Sequence, residues 1–451
     1  MSWLLGRAST SFYHSHTPLT ITTKSGERIT LDDLCKAATP PCDLNPLLFN
    51  GHLQTAYTAV KAAGPPIIYK RRIFEAEDPA FAGSFAVDFV AHEAAPSEDE
   101  DDTLPPRTTY YNDTEWDEVE QGLADSRPLL ISLHGLSGGS HEIYLRHVLA
   151  PLVEQTAAGG WEALVVNSRG CAQSKITSSV LYNARATWDV RQVVKWCGKR
   201  WPNRPLFAIG YSLGANILTN YLGEEGDQCV LKAAVVCSNP WKLEVSSLAL
   251  QRTWLGLEVY SRTMGSSMKK LFETHADQIS ENTNIDISKV RSIRYLHEFD
   301  RVVQCATWGY PTEGAYYRDA TSADSLFAVR VPLFAIHAED DPVNMSSPVI
   351  AVKEAIPYEE FAQSPYTVLC TTSTGGHLSW FEWGGGRWFA KPAVNFLQKM
   401  AKEIDLSALE EQKQTSSNAN GSAKVSVGNR MPFAFDPMRR KMFIASPLHN
   451  T

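Results

Sequence analysis

Gly210-Tyr211-Ser212-Leu213-Gly214 decides the reading of this chain. The apolar run Leu206-Phe207-Ala208-Ile209 leads into it, and the helical pattern Asn216-Ile217-Leu218-Thr219-Asn220-Tyr221-Leu222 leaves it. A strand that turns sharply into a helix around a serine, with glycine two residues to either side, is the sequence form of a nucleophile elbow. The hydroxyl stands out on a tight turn, and the glycines keep side chains out of the strand–helix crossing. A serine is a poor nucleophile without a base beside it and a carboxylate behind that base, so the rest of the chain is read for those partners.

Working outward, short continuous apolar runs recur at 129–133, 163–166, 206–209, 233–237, 333–336 and 367–370. Runs of this kind suit parallel strands covered on both faces. The segments between most of them carry helical spacing, as in Trp188, Val190, Val193, Val194, Trp196 and Cys197. The alternation implies βαβ crossovers and an α/β fold with a mostly parallel, doubly wound sheet. Residues 239–331 break the rhythm, polar and aromatic by turns, and in this architecture an insertion there forms a helical lid over the carboxyl ends of the strands. The organisation expected is an N-terminal extension over 1–108, a core over 109–400 that contains the lid, and a flexible C-terminal tail over 401–451. Within the extension, the acidic run Glu98-Asp99-Glu100-Asp101-Asp102 reads as a solvated loop. Residues 410–428, rich in Ser, Asn, Gln and Gly, read as disordered, and the apolar groups at 431–438 and 442–444 as segments that dock onto the domain or a membrane surface.

Composition narrows the function classes. With 451 residues, 43% of them hydrophobic, the chain can bury one large core or two modest ones. A net charge of −8 with no basic face argues against nucleic acid and towards a small or apolar substrate. The eight cysteines follow no C-x-x-C spacing and read as reduced, buried thiols, which points to an intracellular protein. The apolar part of Met1-Ser2-Trp3-Leu4-Leu5 is too short for a secretory signal, and no window approaches 18 apolar residues. The expectation is a protein that is cytoplasmic or peripherally membrane-associated, in contact with a membrane or lipid droplet, and not secreted. Neither a metal cluster such as H-E-x-x-H nor a phosphate-binding glycine motif is present, so no metal and no cofactor are expected.

The partners of an elbow serine follow it in the order carboxylate, then histidine. After the run at 333–336 comes Ala338-Glu339-Asp340-Asp341-Pro342-Val343, and Asp341 is the candidate acid, with Asp340 the alternative and Glu339 a more distant one. After the run at 367–370 comes Gly375-Gly376-His377-Leu378, where two glycines let the loop swing an imidazole over the sheet edge, and His377 is the candidate base. The tetrahedral intermediate needs two backbone N–H donors. Leu213 supplies one at the start of its helix. Leu136 supplies the other, with Gly135 its neighbour in His134-Gly135-Leu136-Ser137-Gly138-Gly139.

Taken together, His134-Gly135, Asn167-Ser168-Arg169-Gly170-Cys171, the elbow, the Asp-Asp-Pro turn and Gly-Gly-His-Leu resemble the α/β-hydrolase superfamily. More narrowly they are similar to its subgroup 4, which holds bacterial esterases, mammalian membrane-associated phospholipases and fungal medium-chain fatty acid ethyl ester synthase/esterases. Asn50-Gly51-His52-Leu53-Gln54-Thr55 resembles the segment that precedes the core in that subgroup, and the likeness runs from about residue 45 to about 400. The resemblance implies Ser212 as nucleophile, Asp341 as acid and His377 as base; it gives His52 no catalytic role, and His52 is read as structural. It implies a serine esterase or acyltransferase acting on medium-chain acyl esters, with acyl-coenzyme A as a substrate and water or an alcohol as acceptor. A lipase of monoacylglycerol or phospholipid type is the alternative. The acyl chain is expected to meet aromatic surface from Trp241, Trp254, Tyr260, Trp308, Tyr310, Tyr316 and Tyr317, with Trp380, Phe381 and Trp383 following the base.

Overall fold

The apolar runs become strands whose residues alternate between two covered faces. In the computed structural model, which describes residues 6–60, 64–92, 103–122, 124–154, 160–281, 285–345 and 352–413, Leu129, Ile131 and Leu133 join one hydrophobic cluster and Leu130 the other. The same alternation separates Leu206 and Ala208 from Phe207, Ile209 and Tyr211. Burial of period two on both faces explains why polar positions are scarce in these runs.

One sheet among the described residues contains β1 (Thr10–His14), β2 (Ile68–Glu75), β3 (Ser84–Ala91), β4 (Thr108–Tyr110), β5 (Leu129–Leu133), β6 (Glu162–Val166), β7 (Leu206–Tyr211), β8 (Ala233–Cys237), β9 (Leu333–Ala338) and β10 (Thr367–Thr372). Their order is β1-β10-β9-β8-β7-β5-β6-β3-β2-β4. The six strands read from the sequence are the parallel block from β10 to β6. Outside it, β1 runs antiparallel to β10, β3 to β6 and β2 to β3, while β4 is parallel to β2.

The helices that position the site are α1 (Leu31–Ala38), α2 (Gly51–Val60), α3 (Ile143–Val153), α4 (Trp188–Arg200), α5 (Leu213–Glu225), α6 (Leu243–Arg252), α7 (Arg262–Thr274), α8 (Glu313–Ala320) and α9 (Ala390–Lys402). Leu34 of α1, Val148 of α3 and Phe396 of α9 pack one face of the sheet. Val194 of α4 and Leu218 of α5 pack the other. The segment read as a lid contributes α6, α7 and α8 together with two π-helical turns, Gly256–Ser261 and Asp300–Gln304.

The chain reverses its direction of travel across the sheet between β5 and β7: β5 leads to β6 on one side, whereas β7 continues through β8 and β9 to β10 on the other. A crevice opens at the carboxyl ends of two such strands, and ligands of open α/β sheets bind there. Gly210 pairs with Leu133, so the turn after β5 and the elbow after β7 lie side by side.

Two expected boundaries are corrected. The described part of residues 1–108 does not stand outside the core, because it supplies β1, β2 and β3 of the sheet and the first residue of β4. The reason is a buried ion pair: β2 reads Ile-Tyr-Lys-Arg-Arg-Ile-Phe-Glu, but Arg71 Nε and Nη2 donate to Asp88 of β3 at 2.6 and 2.8 Å and both side chains are buried. The tail does not begin at 401 either: Ile404 is buried, Glu410 pairs with Lys232, and Lys413 Nζ donates to the Cys229 carbonyl at 2.6 Å. The acidic run at 98–102 and the segments after 413 lie outside the described residues. All eight cysteines are free and buried, and no helix among the described residues is long and apolar enough to cross a membrane.

Candidate active site

Ser212 stands one residue beyond β7 with φ 51° and ψ −118°, a region that L-residues rarely enter. Its neighbours hold it there. The Ser212 amide donates to Cys237 O at 2.9 Å, and its carbonyl accepts from the Ala215 and Asn216 amides at 2.9 and 3.1 Å. A Cβ at Gly210 would lie 2.5 Å from Gly214 O, and one at Gly214 would lie 2.3 Å from Leu133 O. Both glycines of the motif therefore answer a steric demand of the crossing.

His377 and Asp341 reach Ser212 from the loops after β10 and β9. His377 Nε2 lies 2.8 Å from Ser212 Oγ, and His377 Nδ1 lies 2.8 Å from Asp341 Oδ2. Asp341 is fully buried, and its Oδ1 accepts the Val343 amide at 2.9 Å. Burial opposes the charge on Asp341, but the imidazoles of His377 and His337 and the Val343 amide overcome it, so its pKa is held below the ordinary value. An ionised acceptor at Nδ1 places the ring proton there and turns the Nε2 lone pair towards the serine hydroxyl. The three residues singled out in the sequence thus meet in one hydrogen-bonded chain.

The alternatives to Asp341 have other tasks. Asp340 Oδ1 accepts the amides of Gly375 and Gly376 at 2.8 and 3.0 Å, and burial raises its pKa to about 6. Glu339 accepts from Thr371 Oγ1 at 2.9 Å. The His377 loop is also gripped by α2: the His377 amide donates to Thr55 Oγ1 at 2.9 Å, the Phe381 amide donates to Gln54 Oε1 at 2.7 Å, and Thr58 and Ser379 share a hydroxyl bond at 3.2 Å. The packing is tight enough that a Cβ at Gly51 would come within 1.9 Å of Asp340 O, and one at Gly376 (φ 65°) within 2.6 Å of Gly51 O. The segment 50–55, a bare likeness in the sequence, is the scaffold of the His377 loop. His52 itself bonds Tyr260 OH through Nδ1 at 2.8 Å and stacks on that ring at 5.8 Å, tying α2 to the inserted segment.

On the other side of Ser212, the turn after β5 presents its amides. Gly135 N donates to Tyr144 OH at 2.8 Å, Ser137 N to Tyr182 OH at 3.1 Å and Gly138 N to Gly135 O at 3.1 Å. The Leu136 amide, like that of Leu213, has no protein acceptor among the described residues, and both residues line the cavity with Ser212. Gly135, the neighbouring alternative, is therefore already engaged.

His134 fixes this turn by donating from Nδ1 to Gly135 O at 2.7 Å and accepting the Ser168 amide on Nε2 at 3.0 Å. Burial lowers its pKa to about 4, which keeps it neutral. Behind it, Asp88 Oδ2 accepts from Ser140 Oγ at 2.5 Å and Asn167 Nδ2 at 2.8 Å, anchoring the turn to the Arg71 pair.

Ser212 opens into a cavity of about 800 Å³, its open mouth included, with Leu243, Leu250, Met264, Met268 and Leu296 on its walls. The aromatic surface expected there is a correction. Of the residues named from the sequence, Tyr316 and Tyr317 line the cavity, whereas Trp241 packs edge-on to Phe361 at 5.2 Å and Trp308 packs on Trp188 at 5.0 Å. Tyr310 packs on Tyr316, and Tyr260 on His52. Trp380 and Phe381 are in the core, while Trp254 and Trp383 are more than 70% exposed. Most of the large rings fill gaps between elements, and leucines and methionines share the lining with Tyr182, Tyr316 and Tyr317.

Among the described residues no group of three His, Cys, Asp or Glu side chains is placed to hold a metal ion. Residues 128–357 match a family model described as alpha/beta hydrolase fold. A monoacylglycerol lipase of Saccharomyces cerevisiae is 36% identical over 382 residues, 80% of this chain and 81% of that one. A medium-chain fatty acid ethyl ester synthase/esterase 2 of the same yeast is 30% identical over 79% of this chain and 85% of its own length. A mouse protein named phospholipase ABHD3 is 29% identical over 73% of this chain and 70% of its own.

Proposed function

The chain belongs to the α/β-hydrolase family, and from that premise we propose that it cleaves fatty acyl esters through an acyl-serine at Ser212, with His377 as base and Asp341 as the acid behind it. The observation that carries this reading is the hydrogen-bonded chain Ser212–His377–Asp341 at the mouth of an apolar cavity. The lipid-ester class draws support from the names of the relatives.

In the proposed cycle Ser212 Oγ attacks the ester carbonyl carbon while His377 Nε2 takes its proton. The Leu213 and Leu136 amides receive the oxyanion. The imidazolium, held by Asp341, returns the proton to the leaving alkoxide, and an alcohol departs from the acyl-serine. Water, deprotonated by His377, then attacks the acyl carbon and yields the carboxylic acid; an alcohol in place of water yields a new ester. The finer proposal is that medium-chain acyl groups are transferred in this way, from simple esters or coenzyme A thioesters. No cofactor enters the cycle. The aliphatic lining can discriminate chain length by about 0.8 kcal/mol per methylene. Contact with a lipid surface is part of the same proposal: Phe49 and Trp254, 64% and 72% exposed, stand on the two segments that His52 and Tyr260 join.

A second reading, a monoacylglycerol lipase or phospholipase-type hydrolase without acyl transfer, is favoured by the 36% identity to the yeast lipase. Purified protein incubated with octanoyl-coenzyme A and ethanol separates the two. Ethyl octanoate that disappears in Ser212→Ala establishes transfer; free octanoate alone, with rapid cleavage of octanoylglycerol, establishes the lipase. Identical product from wild type and Ser212→Ala would sink both.

A further inference from the structure

One part of the cavity wall is polar and lacks the partners its burial demands. The π-helical turn Asp300–Gln304 places those two residues on one face, four positions apart, and both line the cavity that Ser212 opens into. Asn183 joins them on the wall. Asp300, Gln304 and Asn183 are 6%, 2% and 1% exposed.

Asp300 Oδ2 accepts from Tyr317 OH at 2.7 Å, and no cation pairs with this carboxyl among the described residues; the adjacent Arg301 is engaged with Glu313 instead. Gln304 Nε2 donates to Tyr182 O at 3.2 Å, which leaves Gln304 Oε1 buried without a partner. Asn183 Oδ1 accepts the Arg185 amide at 2.7 Å, which leaves Asn183 Nδ2 in the same position. Burying a carboxyl without a counter-ion, beside two unsatisfied amide atoms, is costly unless something fills the hydrogen bonds. Burial raises the Asp300 pKa to about 7, so near neutrality it can donate as well as accept.

The geometry points to a subsite at Asp300, Gln304 and Asn183 for a hydroxyl group of a neutral ester, carried on its alcohol or on its acyl chain. A hydroxyl both donates and accepts, so it can serve Gln304 Oε1 or Asp300 and Asn183 Nδ2 together. A phosphate finds no cation here and meets a carboxyl. Hydroxyl-bearing esters such as monoacylglycerols are therefore preferred to plain esters of the same acyl chain and to anionic phospholipids. The inference rests on Ser212 being the nucleophile that faces this wall.

Three substrates with one acyl length test it: 1-octanoylglycerol, ethyl 8-hydroxyoctanoate and ethyl octanoate. The ratio of kcat/KM for a hydroxyl-bearing ester over ethyl octanoate is expected to fall about tenfold or more in Asp300→Leu and in Gln304→Leu. Which of the two esters responds locates the hydroxyl on the alcohol or on the acyl chain. Ratios unchanged from wild type, including parallel losses on all three substrates, overturn the subsite.

Should a leucine variant not fold, Asp300→Asn and a binding measurement replace it. The non-hydrolysable 1-O-octylglycerol is expected to raise the unfolding temperature of Ser212→Ala protein, and the rise to shrink when Asp300→Asn is added; equal rises in both proteins overturn the inference. Because this readout needs no turnover, ether binding retained alongside wild-type activity no greater than that of Ser212→Ala would fault the catalytic reading and leave the subsite standing.

Discussion

The two loops that flank Ser212 are held in opposite ways. The His377 loop is fixed by backbone amides that donate to Thr55, Gln54 and the Asp340 side chain and by a hydroxyl bond between Thr58 and Ser379. The turn that carries Leu136 is fixed from beneath by Asp88 and Arg71, a fully buried ion pair, through Ser140 and Asn167. The contrast has a consequence. A position set by buried charge loses several kcal/mol when one partner goes, because the other is left uncompensated. A position set by hydroxyls and amides can loosen while the fold stands, so damage on that side is expected in turnover before stability.

The largest effect breaks the comparison at its root. Ser212→Ala is expected to lower kcat by about 10⁴-fold or more with no loss of unfolding temperature. A serine variant that kept its activity would mean that neither loop serves that residue. Next comes Asp88→Ala, which strands Arg71 in the core and is expected to cost about 3–5 kcal/mol of stability in urea unfolding. Wild-type stability there would show that the Leu136 turn does not depend on the pair.

A pH titration then tests the other side. The Asp340 pKa is raised on folding from 3.8 to about 6, so the folded chain holds that proton more tightly than the unfolded one. Its contribution is fully present below about pH 4 and is lost as the pH rises towards 6, with an upper bound of about 3 kcal/mol. Asp340→Asn is expected to flatten the stability profile across that window, and an unaltered slope would place the titration elsewhere.

How much of this was legible in the sequence follows from the range of the interactions. The six parallel strands announced themselves because two covered faces demand unbroken apolar runs, and the elbow because its glycines obey a local steric rule. Ser212, Asp341 and His377 stood out through their order after three such strands. The strand Ile68–Glu75 stayed hidden since Lys70, Arg71 and Arg72 interrupt any apolar run, and only Asp88 lying opposite accounts for the buried Arg71. The purpose of the segment 50–55 was hidden for the same reason: Thr55 meets His377 across 322 positions of chain, and nothing local marks that contact. The aromatics of the insertion misled because ring content does not say whether a ring faces a cavity or a neighbouring helix.

Thr55→Val is the smallest perturbation that decides between the two modes of holding. Valine nearly matches threonine in shape but removes the acceptor of the His377 amide, so the expected cost in stability is only about 1 kcal/mol. His377 must keep 2.8 Å contacts to Ser212 and Asp341 at once, and a loop freed at its amide spends less time in that geometry. The expected result is about a tenfold fall in kcat with KM little changed, since the cavity walls are untouched. Thr55→Ser, which keeps the hydroxyl, is expected to recover most of the loss. If Thr55→Val instead lowered the unfolding free energy by several kcal/mol and left kcat intact, the His377 loop would be held as the Leu136 turn is, by the integrity of the core, and the distinction between the two sides of Ser212 would collapse.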